Sequence, residues 1–310
     1  MRFRDALTLG ALLACALALL CFPAESAQAA REALALCFQT VIPSLFPFFV
    51  LSSLLISCGG AALLSALLAP LMRPLFGLGG EGAAALALGL CGGYPVGART
   101  AAGLVDSGAL SREEGERLLG FCNNAGPGFL LGVCGGAVFG SPRAGAALCA
   151  IHVSSALLTG FLLCRGEAEP LPSRPAKPAA RSVPLAAAFP SAVTGALSST
   201  LNVCAFVLLF MVLLRLLLLA LPARFAGTLP CALLTGFFEL TSGVTALPDT
   251  RAGFLCCAAL LGWGGLSVHA QTLGALGGSG LSPRRFLRGK LLHALLSALL
   301  ALPALPLLFP

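Results

Sequence analysis

Long apolar runs dominate this chain, recurring at about residues 6–22, 34–58, 60–78, 82–104, 118–140, 144–164, 185–221, 226–248, 252–277 and 286–309. Most are long enough to cross the roughly 30 Å of bilayer hydrocarbon as a helix. Several carry Pro or paired Gly at mid-length, as at Pro43 and Pro47, Gly92 and Gly93, or Gly264 and Gly265. A lipid-facing span cannot leave its backbone unpaired, so broken helices belong where they line protein or a water-filled cavity. The pattern predicts an all-α, polytopic membrane protein of about eight to ten helical elements, some of them broken or re-entrant. Residues 165–184 differ in kind. They are Pro-rich and polar, with Arg165, Arg174, Lys177 and Arg181, and read as a linker on the cytoplasmic membrane surface. The first run follows Arg2 and Arg4, and Ala27-Gln28-Ala29 has the form of a cleavage site. In a chain embedded throughout, that run reads as an uncleaved first helix.

A repeated motif orders the runs. Gly92-Gly93-Tyr94-Pro95-Val96-Gly97-Ala98-Arg99-Thr100 lies 172 positions before Gly264-Gly265-Leu266-Ser267-Val268-His269-Ala270-Gln271-Thr272, with five identities. The following tails agree as well, Ser107-Gly108-Ala109-Leu110-Ser111-Arg112 against Ser279-Gly280-Leu281-Ser282-Pro283-Arg284. Each tail starts a helix: Ser111 and Glu114 have capping-box spacing, and Ser282 reads as an N-cap followed by Pro. The chain therefore divides into an N-terminal transmembrane helix (1–33), a first repeat (34–143), a connecting transmembrane helix with the basic linker (144–184), and a second repeat (185–310). If each segment crosses once, the two copies run in opposite directions. That is the inverted repeat of secondary transporters, whose solute sits near the midplane between the halves.

Composition settles the class. Residues of the AVILMFWYC set make up 58% of the chain and charged residues only 10%, against roughly 25% charged in a soluble domain. The mean hydropathy is +0.96. The net charge of +7 is scattered over short loops, which excludes a phosphate-tracking nucleic-acid surface. Thirteen cysteines fall mostly inside apolar runs with no Cys-x-x-Cys pair, and the three histidines are far apart, so neither a disulfide framework nor a zinc site is indicated. No nucleophile–base spacing, phosphate loop or metal cluster is present. Neither an enzyme nor a cofactor is expected.

Ionisable and polar groups inside the apolar runs carry the functional reading. Glu239, in Gly236-Phe237-Phe238-Glu239-Leu240-Thr241-Ser242-Gly243, is the one carboxylate well inside a run, and reads as a ligand for a coupling proton, a cation or the solute. Asn123 and Asn124 precede Gly126-Pro127-Gly128, where a break frees backbone groups beside two side-chain amides. Gly93, Tyr94 and Pro95 forbid a regular helix, and a half-helix starting there would aim its amides, with Arg99, at an anion. The second copy of the motif puts Ser267, His269 and Gln271 at matching places. Segments around Pro43-Ser44 and Ser198-Ser199-Thr200-Leu201-Asn202 read as broken, paired hairpins, with Ser44, Ser199 and Asn202 as further solute ligands. His152 and His293 read as packing residues.

The order Pro43-Ser44-Leu45-Phe46-Pro47-Phe48-Phe49, Gly93-Tyr94-Pro95-Val96-Gly97-Ala98-Arg99, Leu110-Ser111-Arg112-Glu113-Glu114 and Phe121-Cys122-Asn123-Asn124-Ala125-Gly126-Pro127 resembles the sporulation integral membrane protein YlbJ family, within the nucleoside-recognition (Gate) group. The resemblance is dense from about residue 38 to 140 and more diffuse to the C-terminus. Gly93 and Ala125 stand where that family often carries Ser. The resemblance implies a multi-pass protein of the cell membrane or outer forespore membrane of a spore-forming bacterium, serving spore cortex and core maturation. It implies transport of a small anionic solute, dipicolinic acid; the coupling partner, a proton or sodium ion, follows instead from the reading of Glu239. Gate-group proteins also resemble part of the concentrative nucleoside transporters. Nucleoside transport, or a non-transporting scaffold that joins other sporulation membrane proteins or further copies of itself, are the alternatives.

Overall fold

A computed structural model describes residues 3–165 and 184–309, and 83% of the chain is helix, with no strand among the described residues. All but the end residues of the basic linker fall outside that range. Five helical runs are long and apolar enough to cross a membrane: Pro23–Cys58, Pro142–Cys164, Leu185–Leu218, Arg251–Ala275 and Arg284–Leu308. Shorter apolar helices cover Asp5–Cys21, Leu63–Phe76, Gly82–Gly92, Gly128–Val138 and Leu229–Phe238. The expected polytopic, all-helical class is what the chain forms.

In chain order, α1 (Phe3–Cys21) leads into α2 (Pro23–Leu36), α3 (Ile42–Leu55) and α4 (Ala61–Phe76). Wide π-turns at Cys37–Val41 and Ile56–Gly60 join α2, α3 and α4. Pro43 lies in the first turn of α3, directly after one of these turns, where its missing N–H costs least. The Pro43 segment is therefore part of a continuous helical run and forms no hairpin. The same correction applies further on: α9 (Leu185–Leu218) passes unbroken through Ser198–Asn202. Thr200 returns its hydroxyl to the Ala196 carbonyl at 2.8 Å, so this hydroxyl is satisfied within the helix instead of breaking it.

The remaining elements form two similar sets. α5 (Gly82–Gly92) and α6 (Val96–Asp106) fold back on each other as a hairpin with its tip at Gly93–Pro95. A broken span follows it, made of α7 (Arg112–Leu119), an irregular stretch, and the π-helix Gly128–Val138. After α8 (Pro142–Cys164) and α9 comes a second hairpin, α10 (Leu229–Phe238) and α11 (Leu240–Thr245), with Glu239 at its tip. It too precedes a broken span, α12 (Arg251–Trp263) and α13 (Gly265–Ala275), interrupted at Gly264. The chain closes with α14 (Arg284–Ala301) and α15 (Leu305–Leu308). Hairpin followed by broken span thus occurs twice, but not in the register of the sequence motif, whose first copy forms a hairpin tip and whose second interrupts a span.

Two apolar clusters hold the ends of this assembly. One gathers Met72, Phe76, Leu110, Leu276, Leu281 and Phe286; the other gathers Phe139, Leu247, Phe254 and Ala301. Phe286 and Ala301 both belong to α14, about 22 Å apart at 1.5 Å per residue. The first hairpin opens toward the Phe286 end and the second toward the Ala301 end, so their tips meet in between. The outward face of α14 carries exposed Leu291, Leu295 and Leu299, while Lys290, His293 and Ser297 are buried. Such an inside-out helix suits a hydrocarbon surround.

Candidate functional site

Four helix interruptions meet between the clusters. A Cβ placed on Gly93 would lie 3.0 Å from the Gly126 amide nitrogen, one on Gly264 3.3 Å from Tyr94 Oη, and one on Gly265 2.9 Å from the Leu240 amide nitrogen. These contacts join the Gly93 tip, the Asn123–Pro127 break, the Glu239 tip and the Gly264 break. Gly93, Gly264 and Gly265 also have φ of +72°, +89° and +76°, where any side chain is strained. The Cys122 carbonyl is wedged against Gly89 and Gly97, where any Cβ would overlap it. Those glycines allow the Asn123–Asn124 loop to lie on the first hairpin.

The junction holds a cavity of about 50 Å³ inside a wider cleft that is open at its mouth. Its walls are largely aromatic and apolar, with Phe48, Phe49, Phe129, Tyr94, Val203 and Val207, and its polar groups are Glu239, Thr241, Ser267 and Gln271. Glu239 is 2% exposed and has extended backbone at the start of α11. Its Oε1 accepts from the Thr241 amide at 3.0 Å, and its Oε2 accepts from the Ser242 amide and hydroxyl, each at 2.7 Å. Three donors thus compensate a carboxylate placed where lipid-level burial would otherwise forbid it. Ser267 Oγ and Gln271 Oε1, both buried, have no hydrogen-bond partner among the described residues. Buried polar atoms are normally paired, so these two are available to a guest in the cleft.

Of the residues singled out in the sequence, Gly93, Tyr94, Glu239, Ser267 and Gln271 line this one cleft. Asn123 stands behind it, donating to Thr272 Oγ1 at 2.8 Å and accepting from the Ala98 amide at 3.4 Å, and so ties α6 to α13. Asn124 donates to the Phe121 carbonyl at 2.8 Å, leaving its Oδ1 unpartnered among the described residues. Pro95 follows a cis peptide bond in the buried tip. His269 faces away from the cleft, bonded to the Trp263 carbonyl at 2.9 Å and packed between Trp263 and Phe286. Arg99 and Asn202 lie outside the cleft, as does Ser199; none of the three is among its lining residues.

One buried cation escaped the sequence reading. Lys290 is 1% exposed, its Nζ donating to Tyr94 Oη at 3.5 Å and lying 5.0 Å from the centre of that ring. Tyr94 in turn donates to the Leu261 carbonyl at 3.2 Å. In the sequence Lys290 looks like the last member of a basic loop with Arg284, Arg285 and Arg288. The missed signal is the spacing of Lys290, His293 and Ser297, which fall on one helix face. His293 and Ser297 meet His152 and Ser155 of α8, with the two histidine rings 4.5 Å apart and Ser155 Oγ 2.8 Å from Ser297 Oγ. His152 and His293 are packed as expected, within a polar seam.

Paired hairpins, broken spans and a cleft where their breaks meet define a polytopic membrane protein with polar groups gathered at an internal junction. The family model described as "Nucleoside recognition" (Gate) matches residues 38–162, which contain the first hairpin, the first broken span and most of α8. The Bacillus subtilis (strain 168) "Sporulation integral membrane protein YlbJ" is 32% identical over 312 residues, covering 89% of this chain and 76% of that protein. The chain belongs to the YlbJ family of sporulation integral membrane proteins. No solved structure matches it.

Proposed function

We propose that the protein is a transporter that carries a small solute across a membrane enclosing the forespore, with the cleft at the four helix breaks as its solute site. The observation that carries this reading is convergence. Glu239, Tyr94 and the pair Ser267 and Gln271 come from three separate breaks in the chain and line one cavity, and two of them present buried oxygens without a partner among the described residues. A scaffold has no use for such an arrangement. Two hairpins whose tips meet between opposite ends of α14 also suit two inverted halves moving about a central site. Within this reading Glu239 serves the coupling proton or cation, because its carboxylate could exchange the α11 donors for an ion.

Dipicolinic acid, the solute implied by the resemblance, is a flat aromatic ring with two carboxylates, and supply of it to the spore would serve core and cortex maturation. The aromatic walls suit such a ring. A nucleoside is the second reading, favoured because among the described residues no Lys or Arg lines the cleft while Ser267, Thr241 and Gln271 offer neutral hydrogen bonds. Uptake of labelled dipicolinate and labelled uridine into proteoliposomes, with proton or sodium gradients imposed, separates these readings. Saturable uptake of either probe is the expected result. Folded protein that moves neither under any gradient ends the transport reading and leaves the scaffold.

A further inference from the structure

Lys290 sits where a cation is hard to justify structurally. It lies on a span whose outer face is leucine, and no carboxylate is within ion-pair distance of its Nζ among the described residues. The titratable groups around it are Tyr94 from the first hairpin tip, Cys122 from the first broken span, His152 from α8, His269 from α13 and His293 from its own helix. Apart from Glu239 in the cleft, the nearest charged groups described are near the first turn of α14, where Arg285 and Arg117 share Glu113. A buried ammonium that lacks an anion carries a heavy desolvation cost. Phenol, thiol and imidazole neighbours can share hydrogen bonds with it but supply no negative charge.

Tyr94 links this ammonium to the cleft: it lines the cleft, and its hydroxyl meets Lys290. Resting on the reading of the cleft as a solute site, we infer that Lys290 is the positioning residue that makes the cleft select a negatively charged group on the solute, acting through Tyr94. The phenol O–H is committed to the Leu261 carbonyl, so Tyr94 acts by accepting from Lys290 and holding that cation against the cleft wall. In a low-dielectric interior its positive potential also reaches the cleft with little screening. An anionic group bound against Tyr94 then supplies the counter-charge that the protein itself does not provide. Glu239 shares the cleft, but both its carboxylate oxygens are already held by α11 donors, which lessens its repulsion of such a group.

The test uses the full-length protein in proteoliposomes, with labelled dipicolinate as the anionic probe and labelled uridine as the uncharged one. Lys290→Met should raise the apparent KM for dipicolinate at least tenfold and leave any uridine uptake within about twofold, whereas Lys290→Arg should restore most dipicolinate uptake. Tyr94→Phe, which keeps the ring and removes the hydroxyl, should weaken dipicolinate uptake in the same direction, and it carries the test should Lys290→Met fail to fold as a monodisperse species. Dipicolinate uptake unchanged in folded Lys290→Met or in Tyr94→Phe overturns the assignment, as does wild-type protein that moves uridine but not dipicolinate. A wild type that moves neither probe removes the solute site itself, a failure distinguishable from that of Lys290 alone.

Discussion

The three donors around the Glu239 carboxylate come from the first turn of the helix that this residue begins. Glu239→Ala strands two buried amides and a hydroxyl, each costing about 1–3 kcal/mol when unsatisfied. The variant should unfold at a clearly lower temperature in detergent. Glu239→Gln keeps one carbonyl acceptor for the Ser242 donors and strands the Thr241 amide alone, so it should destabilise less than Glu239→Ala, but it cannot take up a proton or balance a cation. If Glu239 is the coupling group, that variant moves solute without response to an imposed gradient; normal gradient dependence would reduce Glu239 to a helix cap. Glu239 was legible in the sequence because a carboxylate inside an apolar run needs a reason. Lys290 was not, because three arginines just upstream make it look interfacial, and only the helix phase of Lys290, His293 and Ser297 turns it inward.

Glycine decides which elements can close on one another. The Cys122 carbonyl fits between α5 and α6 only because Gly89 and Gly97 lack a Cβ, and that contact fixes the Asn123–Asn124 loop on the hairpin. Gly103, on the exposed side of α6, has open space where a Cβ would stand, with nothing within 4 Å. Gly89→Ala should therefore destabilise by about 1–3 kcal/mol or more, as overpacking does, while Gly103→Ala should be neutral or gain up to about 1 kcal/mol from helix propensity. Thermal unfolding of the two variants side by side measures the difference; equal midpoints would mean the hairpin and loop are not packed as described. The sequence disclosed the breaks at Gly93 and Gly264 and the capping box of Ser111 and Glu114, which forms as expected. It placed the start of α14 slightly early, since that helix begins at Arg284, with Ser282 Oγ accepting from the Arg284 amide at 3.4 Å. It could not disclose that Gly128–Val138 is a π-helix, because an apolar run has the same composition in either form.

At the scale of the whole molecule, the open question in the sequence was the direction of the two halves, and the 172-residue motif proved a poor guide. Gly- and Ala-rich membrane sequences match one another easily, and the two copies serve different elements, a hairpin tip and a span interruption. The physical register is that of the hairpins, whose tips at Tyr94 and Glu239 share a cleft while their open ends pack into clusters at opposite ends of α14. If α14 crosses the bilayer, the hairpins enter it from opposite faces, and the halves are inverted. Single cysteines report this directly in a background depleted of the thirteen native ones. Ser107→Cys lies at the open end of the first hairpin and Asp249→Cys beyond that of the second, both exposed. A membrane-impermeant maleimide applied to sealed vesicles of one orientation should label one of them and spare the other until the membrane is permeabilised. Labelling of both from the same side would put the two hairpins on one face, and a solute bound at their tips would then have no second face to leave by.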